Sequence, residues 1–195
     1  WDIVKYNPVR AVSISEKEKP TETDIQCFTQ QQAVSFLQAL DNPMMYEYTQ
    51  HNRTAKTGNV TQIRSYQAEH TLNNQLKLFL NLAIYTGCRR GELIALTWQD
   101  IDFGTDTIHI NKSTCRVNGQ IITKTPKTKG SIRSINIPSS VSALAKAWKK
   151  EQMEYRFMIS TQWKGGNMDR CNIFIQWDGS QMGLETPYQA FKRII

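Results

Sequence analysis

The stretch from Tyr85 to Asp102, YTGCRRGELIALTWQDID, constrains this chain most, because it joins the end of a long apolar helix to a second helix through a Thr-Gly turn. Leu72, Leu76, Phe79, Leu80, Ala83 and Ile84 recur at helical spacing after Thr71, read as the cap, and Leu78, Leu82 and Tyr85 widen the apolar face. Such a helix belongs at the centre of a core. Gly87 then accepts the left-handed backbone that ends a helix. Arg89 and Arg90 open the next one, where unpaired amides and the aligned peptide dipoles favour negative charge, so an arginine there makes a seat for phosphate or carboxylate. Glu92, three residues past Arg89, shares its face and can orient the guanidinium while keeping it charged. Taken alone, the same spacing also fits a surface capping turn with a Glu-Arg pair. Leu93, Ile94 and Leu96 bury the second helix, and Trp98 packs beneath it.

Around this joint the pattern predicts an α+β domain, mainly helical with a small three-stranded antiparallel sheet. Thr29, with Gln32 at the capping-box position, opens a helix whose apolar side is Val34, Phe36, Leu37 and Leu40. From Met44 to Glu69 the chain is polar with little periodicity and is read as a loop or ragged helix. Past the joint the period changes to two. Ile108 and Ile110, Ile121-Ile122, and Ile135 and Ile137 mark three strands of a meander, with Asn118-Gly119 as a two-residue hairpin turn. Ser139 is expected to cap a long helix with Val141, Leu144, Ala145 and Trp148 inward and Lys146, Lys149 and Lys150 outward. Ile173 to Ile175 suggests a short strand, Asp178-Gly179-Ser180 a turn, and Thr186-Pro187 the start of a last helix, with Tyr188 in its core.

At 195 residues the chain can bury one good core. It begins at Trp1, and the polar run from Ser13 to Thr23 has linker composition, so we read a piece excised from a longer protein. Net charge is +7 with a pI near 9.3. The distribution says more than the total. Between Thr107 and Lys150 there is no acid, while Lys112, Arg116, Lys124, Lys127, Lys129, Arg133, Lys146, Lys149 and Lys150 all fall there. Such a stripe is a footprint for a polyanion. Cys27, Cys88, Cys115 and Cys171 are far apart, with no C-x-x-C pair and no histidine cluster, so neither a zinc site nor a disulfide framework is indicated. Reduced thiols and the lack of a long apolar stretch suit a cytoplasmic protein that is not in a membrane.

Thr86-Gly87-x-Arg89-x-x-Glu92-Leu93 followed by Leu96-x-Trp98-x-Asp100-Ile101-Asp102 resembles the first active-site motif of the tyrosine recombinases, in particular the integrases of phages and conjugative elements. The resemblance implies that residues 1–24 are the end of a core-binding domain and its linker. It implies that 25–195 are the N-terminal portion of the catalytic domain, whose C-terminal part is missing. It makes Arg89 the arginine that grips the scissile phosphate and Glu92 its brace. Lys127, in the connection "TPKTKGSIR", resembles the family's hairpin lysine, which acts as general acid on the departing 5′ oxygen, with Lys129 the alternative. Lys112, Arg116, Lys124, Lys129 and Arg133 are then DNA contacts. The implied reaction needs neither metal nor cofactor: a tyrosine hydroxyl attacks a DNA phosphate and forms a 3′-phosphotyrosyl link.

The family also uses a His-x-x-Arg motif and a nucleophilic tyrosine near its C-terminus. His51, His70 and His109 lack an arginine three residues on, and neither Tyr155 nor Tyr188 follows such a motif. This stretch is therefore expected to bind DNA and not to cut it. The whole protein is expected to act on double-stranded attachment sites as a synaptic tetramer, with an excisionase or a host DNA-bending factor as possible partners. Two alternatives stay open on the residues alone: a non-catalytic DNA-binding module that uses the basic stripe, and a phosphate-binding regulatory domain.

Overall fold

A computed structural model describes residues 27–53, 60–125 and 131–194, with side chains in the first hairpin described only at Gln67 and Glu69. The element order is α1 (Gln30–Ala39), β1 (Met44–Arg53), β2 (Val60–His70), α2 (Asn74–Thr86), α3 (Arg90–Ala95), a 3₁₀ turn (Trp98–Asp100), β3 (Ile101–Asp102), β4 (Thr107–Ile110), β5 (Ser113–Val117), β6 (Gln120–Lys124), β7 (Arg133–Asn136), α4 (Ser139–Ile159) and α5 (Thr186–Ile194). The fold is α+β, helices around a small antiparallel sheet, as the sequence pattern required.

Helix α2 is the axis of the core, and its apolar run explains why. Leu78, Phe79, Leu80 and Leu82 are all buried, and Phe79 meets Phe174 edge to face with ring centroids 4.9 Å apart. On the same core lie Leu93, Ile94 and Leu96 of the α3 region, Ile108 and Ile110 of β4, and Val141, Ala145 and Trp148 of α4. Trp98 is 2% exposed and donates its indole N–H to Gln152, so it does pack beneath the joint. Thr29 and Gln32 form the expected capping box of α1. Burial lifts the Cys171 thiol to about 11.

Several expectations are corrected. Residues 44–53 and 60–69 are strand rather than loop or helix: β1 and β2 pair antiparallel from Met44↔His70 to Arg53↔Val60, with a register shift at Asn52/Arg53. The segment from Met44 to Glu69 carries three Tyr and four Thr, which suit a pleated backbone, but it has no apolar alternation to announce the strands. The three-stranded sheet has the order β3-β4-β7, so its first strand is Ile101–Asp102, and Ile121-Ile122 belongs elsewhere. Asn118 and Gly119 do turn a hairpin, with φ of 50° and 81°, but it joins β5 to β6 as a separate ribbon. Asn73, not Thr71, caps α2, its side chain accepting from the Leu76 amide at 2.9 Å. Pro138 stands at the cap of α4, with Ser139 already helical. Residues 173–175 make no strand, only isolated bridges at Thr97↔Asn172 and Ile175↔Gln181. Tyr188 is 45% exposed and lies outside the core, as does Val34; Pro187 and Ala190 give α5 its buried side.

The β5-β6 ribbon is held against α3 at one point of close approach. A Cβ on Gly91 would come within 2.3 Å of the Thr114 carbonyl oxygen, so only glycine lets the helix lie on that backbone. The β3-β4-β7 sheet meanwhile brings the start of β7 to the same joint, with Ile110 opposite Arg133.

Candidate functional site

Gly87 closes α2 in the left-handed conformation, φ 60°, and Thr86 folds its hydroxyl back onto the Leu82 carbonyl while accepting from the Cys88 amide. The chain thereby leaves α2 sharply, and Arg89 becomes the extended N-cap of α3. Glu92 is 5% exposed and sits under that cap. Its Oε2 accepts from the Arg89 backbone amide at 2.9 Å, and its Oε1 from Arg89 Nη1 at 3.3 Å. The same carboxylate takes a second guanidinium. Arg133 Nη2 donates to Oε2 at 2.8 Å and Nη1 to Oε1 at 3.3 Å, across 41 residues of sequence.

Chief among the effects on Glu92, the hydrogen bond from Arg133 holds its carboxyl below the ordinary range. Burial opposes this, and the Arg89 amide adds to it. Arg133 is correspondingly raised, so both groups are charged at neutral pH. Two cations share one anion, which leaves one positive charge over. That charge is presented on the Arg89 side chain, which is 81% exposed, whereas the Arg133 side chain is 33% exposed and the Glu92 side chain 6%. An exposed, oriented guanidinium beside a buried acid can take a tetrahedral oxyanion through paired N–H donors.

The basic stripe of the sequence divides among different settings. Lys112 is a closed ion pair: it donates to Asp100 Oδ2 and to Thr97 Oγ1, and its side chain is 20% exposed. Burial alone would raise the Asp100 carboxyl, but hydrogen bonds from Lys112, Thr97 and Asn111 outweigh it and bring it down. Lys112 thus holds the strand to the 3₁₀ turn rather than standing open toward a partner. Arg116 and Lys124 are exposed on the β5-β6 ribbon. Lys146 and Lys149 lie over the rings of Phe103 and Trp98. Lys127 and Lys129 lie outside the described residues, as do residues 1–24.

Of the expected site residues, the fold brings together Arg89, Glu92 and Arg133. The sequence placed Arg133 in the basic stripe, as one of the expected DNA contacts, and not beside Glu92. Nothing in local spacing could pair it with Glu92, because the contact exists only once β7 has joined the sheet. Among the described residues, no group of three or more His, Cys, Asp or Glu side chains could hold a metal ion, and no helix is long and apolar enough to cross a membrane.

Residues 53–195 match the family model described as the phage integrase family. The ICEBs1 integrase of Bacillus subtilis (strain 168) is 42% identical over 78 residues, which are 40% of this chain and 21% of that protein. A XerC-like tyrosine recombinase of Caldanaerobacter subterraneus subsp. tengcongensis is 28% identical over 131 residues, 63% of this chain and 33% of that protein. Among solved structures, the Tn1549 transposon integrase in complex with circular intermediate DNA superposes with a TM-score of 0.56 at 18% identity. That match covers 90% of this chain and 47% of that one. The chain therefore spans a fifth to a third of the length of these curated relatives and about half of the structural one.

Proposed function

This chain belongs to the phage integrase family of tyrosine recombinases, and from that premise we propose that it is the Arg89-bearing part of a catalytic domain for site-specific DNA recombination by strand cleavage and rejoining. Arg89 holds the nonbridging oxygens of the scissile phosphate, and Glu92 braces it from below. A tyrosine hydroxyl outside these 195 residues attacks the phosphorus, the arginines stabilise the pentacoordinate charge, and the 5′ oxygen leaves with a proton from Lys127, or from Lys129 in its place. The 3′-phosphotyrosyl bond keeps the strand ready to be rejoined. Arg116, Lys124 and Lys129 contact the DNA backbone nearby. No metal or cofactor takes part.

On this reading residues 1–24 close a preceding DNA-clamping domain and 25–195 begin the catalytic one, so the chain alone binds duplex DNA without cutting it. The whole protein works in the cytoplasm on paired attachment sites as a tetramer, with an excisionase or a DNA-bending factor setting direction. The observation that carries the proposal is the joint itself, where a buried acid orients a guanidinium that is left open to solvent at the position the family motif assigns to phosphate.

The test is a suicide substrate, nicked so that the cleaved strand escapes and covalent protein-DNA adduct accumulates. With the full recombinase, Arg89→Ala is expected to slow adduct formation at least about a hundredfold, the scale for losing one oriented donor at a developing charge. Adduct formation at the parent rate would refute the site.

A further inference from the structure

Arg133 stands close enough to the joint to be taken for a second phosphate contact, but its hydrogen bonds point elsewhere. Both terminal nitrogens are doubly engaged within the protein: Nη2 donates to Glu92 Oε2 at 2.8 Å and to Cys88 Sγ at 3.3 Å, and Nη1 to Glu92 Oε1 at 3.3 Å and to the Ser131 carbonyl at 3.4 Å. A guanidinium has four terminal N–H donors, and here each has an acceptor. Arg89 is the opposite case, with one terminal nitrogen on Glu92 at 3.3 Å and the rest facing solvent.

We propose that Arg133 is a positioning residue whose task is to neutralise Glu92, so that the charge of Arg89 remains available to the scissile phosphate. This rests on the phosphate-binding reading of Arg89 given above. Glu92 is needed at the cap because its Oε2 takes the Arg89 backbone amide, and that bond fixes where the Arg89 side chain starts. A buried carboxylate directly beneath Arg89 would also attract its guanidinium and cancel its charge, since an ion pair out of water is far stronger than one in it. Arg133, delivered by the first residue of β7, supplies the second cation. With it the trio carries one net positive charge; without it, none. The bidentate fork matters as well, because it holds the Glu92 plane while Arg89 keeps only its long contact.

The experiment uses the full recombinase and the suicide substrate at saturating DNA. Arg133→Met, which keeps much of the side-chain volume, is expected to slow adduct formation about tenfold, a loss smaller than that of a direct phosphate donor, with little change in Kd for the duplex. The decisive variant is the pair Arg133→Met/Glu92→Gln. Removing the carboxylate charge restores the net positive charge of the joint, so the double variant is expected to cut faster than Arg133→Met alone. Rates are compared at a temperature where thermal melts show both variants fully folded, so that relief of an unpaired buried carboxylate cannot by itself account for a gain. There, a double variant equal to or slower than Arg133→Met overturns the proposal, because a direct DNA contact gains nothing from losing the Glu92 charge. If Arg133→Met does not fold, as read by a cooperative thermal melt, Arg133→Lys and Arg133→Gln replace it. Both keep a donor for Glu92 and only one keeps the charge, so Lys must cut faster than Gln, and equal rates overturn the idea. Arg89→Ala in the same assay separates the two failures. If it leaves cutting intact, the functional reading itself fails; if it abolishes cutting while charge restoration gains nothing, only the role of Arg133 fails.

Discussion

The joint at Glu92 and the turn at Asp100 are built alike and end up unlike. In each, a buried acid three residues past an extended N-cap accepts the backbone amide of that cap, Glu92 from Arg89 at 2.9 Å and Asp100 from Thr97 at 2.7 Å. In each, a cation arrives from a distant strand region, Arg133 in one case and Lys112 in the other. At Asp100 the account closes: one anion, one cation, hydroxyl and amide donors around them, and a Lys112 side chain only 20% exposed. At Glu92 a second guanidinium is added, and it is 81% exposed. The scaffold is therefore not what makes a site. Of the two, the Glu92 joint alone carries a surplus charge that faces water.

Lys112→Met leaves a carboxylate that is 3% exposed without its counter-charge, and denaturant unfolding should show a loss of about 3 kcal/mol, the usual cost of breaking a buried pair by one partner. DNA affinity of the folded variant should stay near that of the parent. A stable protein with weakened DNA binding would mean that Lys112 is an open cation after all.

Gly91→Ala tests whether the Glu92 joint needs the ribbon beneath it. The new methyl would meet the Thr114 carbonyl oxygen at 2.3 Å, a backbone atom that cannot swing aside, so a destabilisation of about 2 kcal/mol is expected in the same unfolding measurement. An unchanged unfolding midpoint would show that α3 does not depend on β5.

Acid should expose the likeness of the two sites. Both carboxyls are depressed in the folded protein, so each contributes stability that is complete above its unfolded pKa and is lost as the pH falls through the folded one. Urea midpoints taken from neutral pH downward should fall through and below the ordinary carboxylate range, and Glu92→Gln should flatten part of that decline. An equally steep decline in Glu92→Gln would detach Glu92 from the ion network.

The smallest effect concerns the open cations of the ribbon. Arg116→Ala and Lys124→Ala should each reduce the slope of log affinity against log salt by about one, alike for every DNA sequence, while Lys112→Met leaves the slope unchanged. Equal slopes for all three would erase the distinction between open and closed cations.

Much of this could be read along the chain wherever the cause was local. The apolar period of α2, the Gly87 stop, the α1 capping box and the Asn118-Gly119 turn each depend on a few neighbouring residues, and each is where the sequence put it. The strand partners were not legible. Between β4 and β5, Lys112 turns in to Asp100, and the ribbon pairs apart from the sheet; no alternation of isoleucines encodes that. Strands β1 and β2 escaped notice because their residues suit strands without marking an apolar face. At the site, Arg89 and Glu92 were legible as neighbours on one helical turn. The third member, Arg133, was read as one of several DNA contacts in the stripe and not as the partner of Glu92, because that partner is fixed by the β4-β7 register.

The most direct test is the structure of the full recombinase trapped on its cleaved DNA. Arg89 Nη atoms should lie within hydrogen-bond distance of the nonbridging oxygens of the reacting phosphate, with Arg133 still paired to Glu92 and touching no phosphate. A phosphate seated away from Arg89, or an Arg133 that has left Glu92 to bind it, would contradict this reading of the joint.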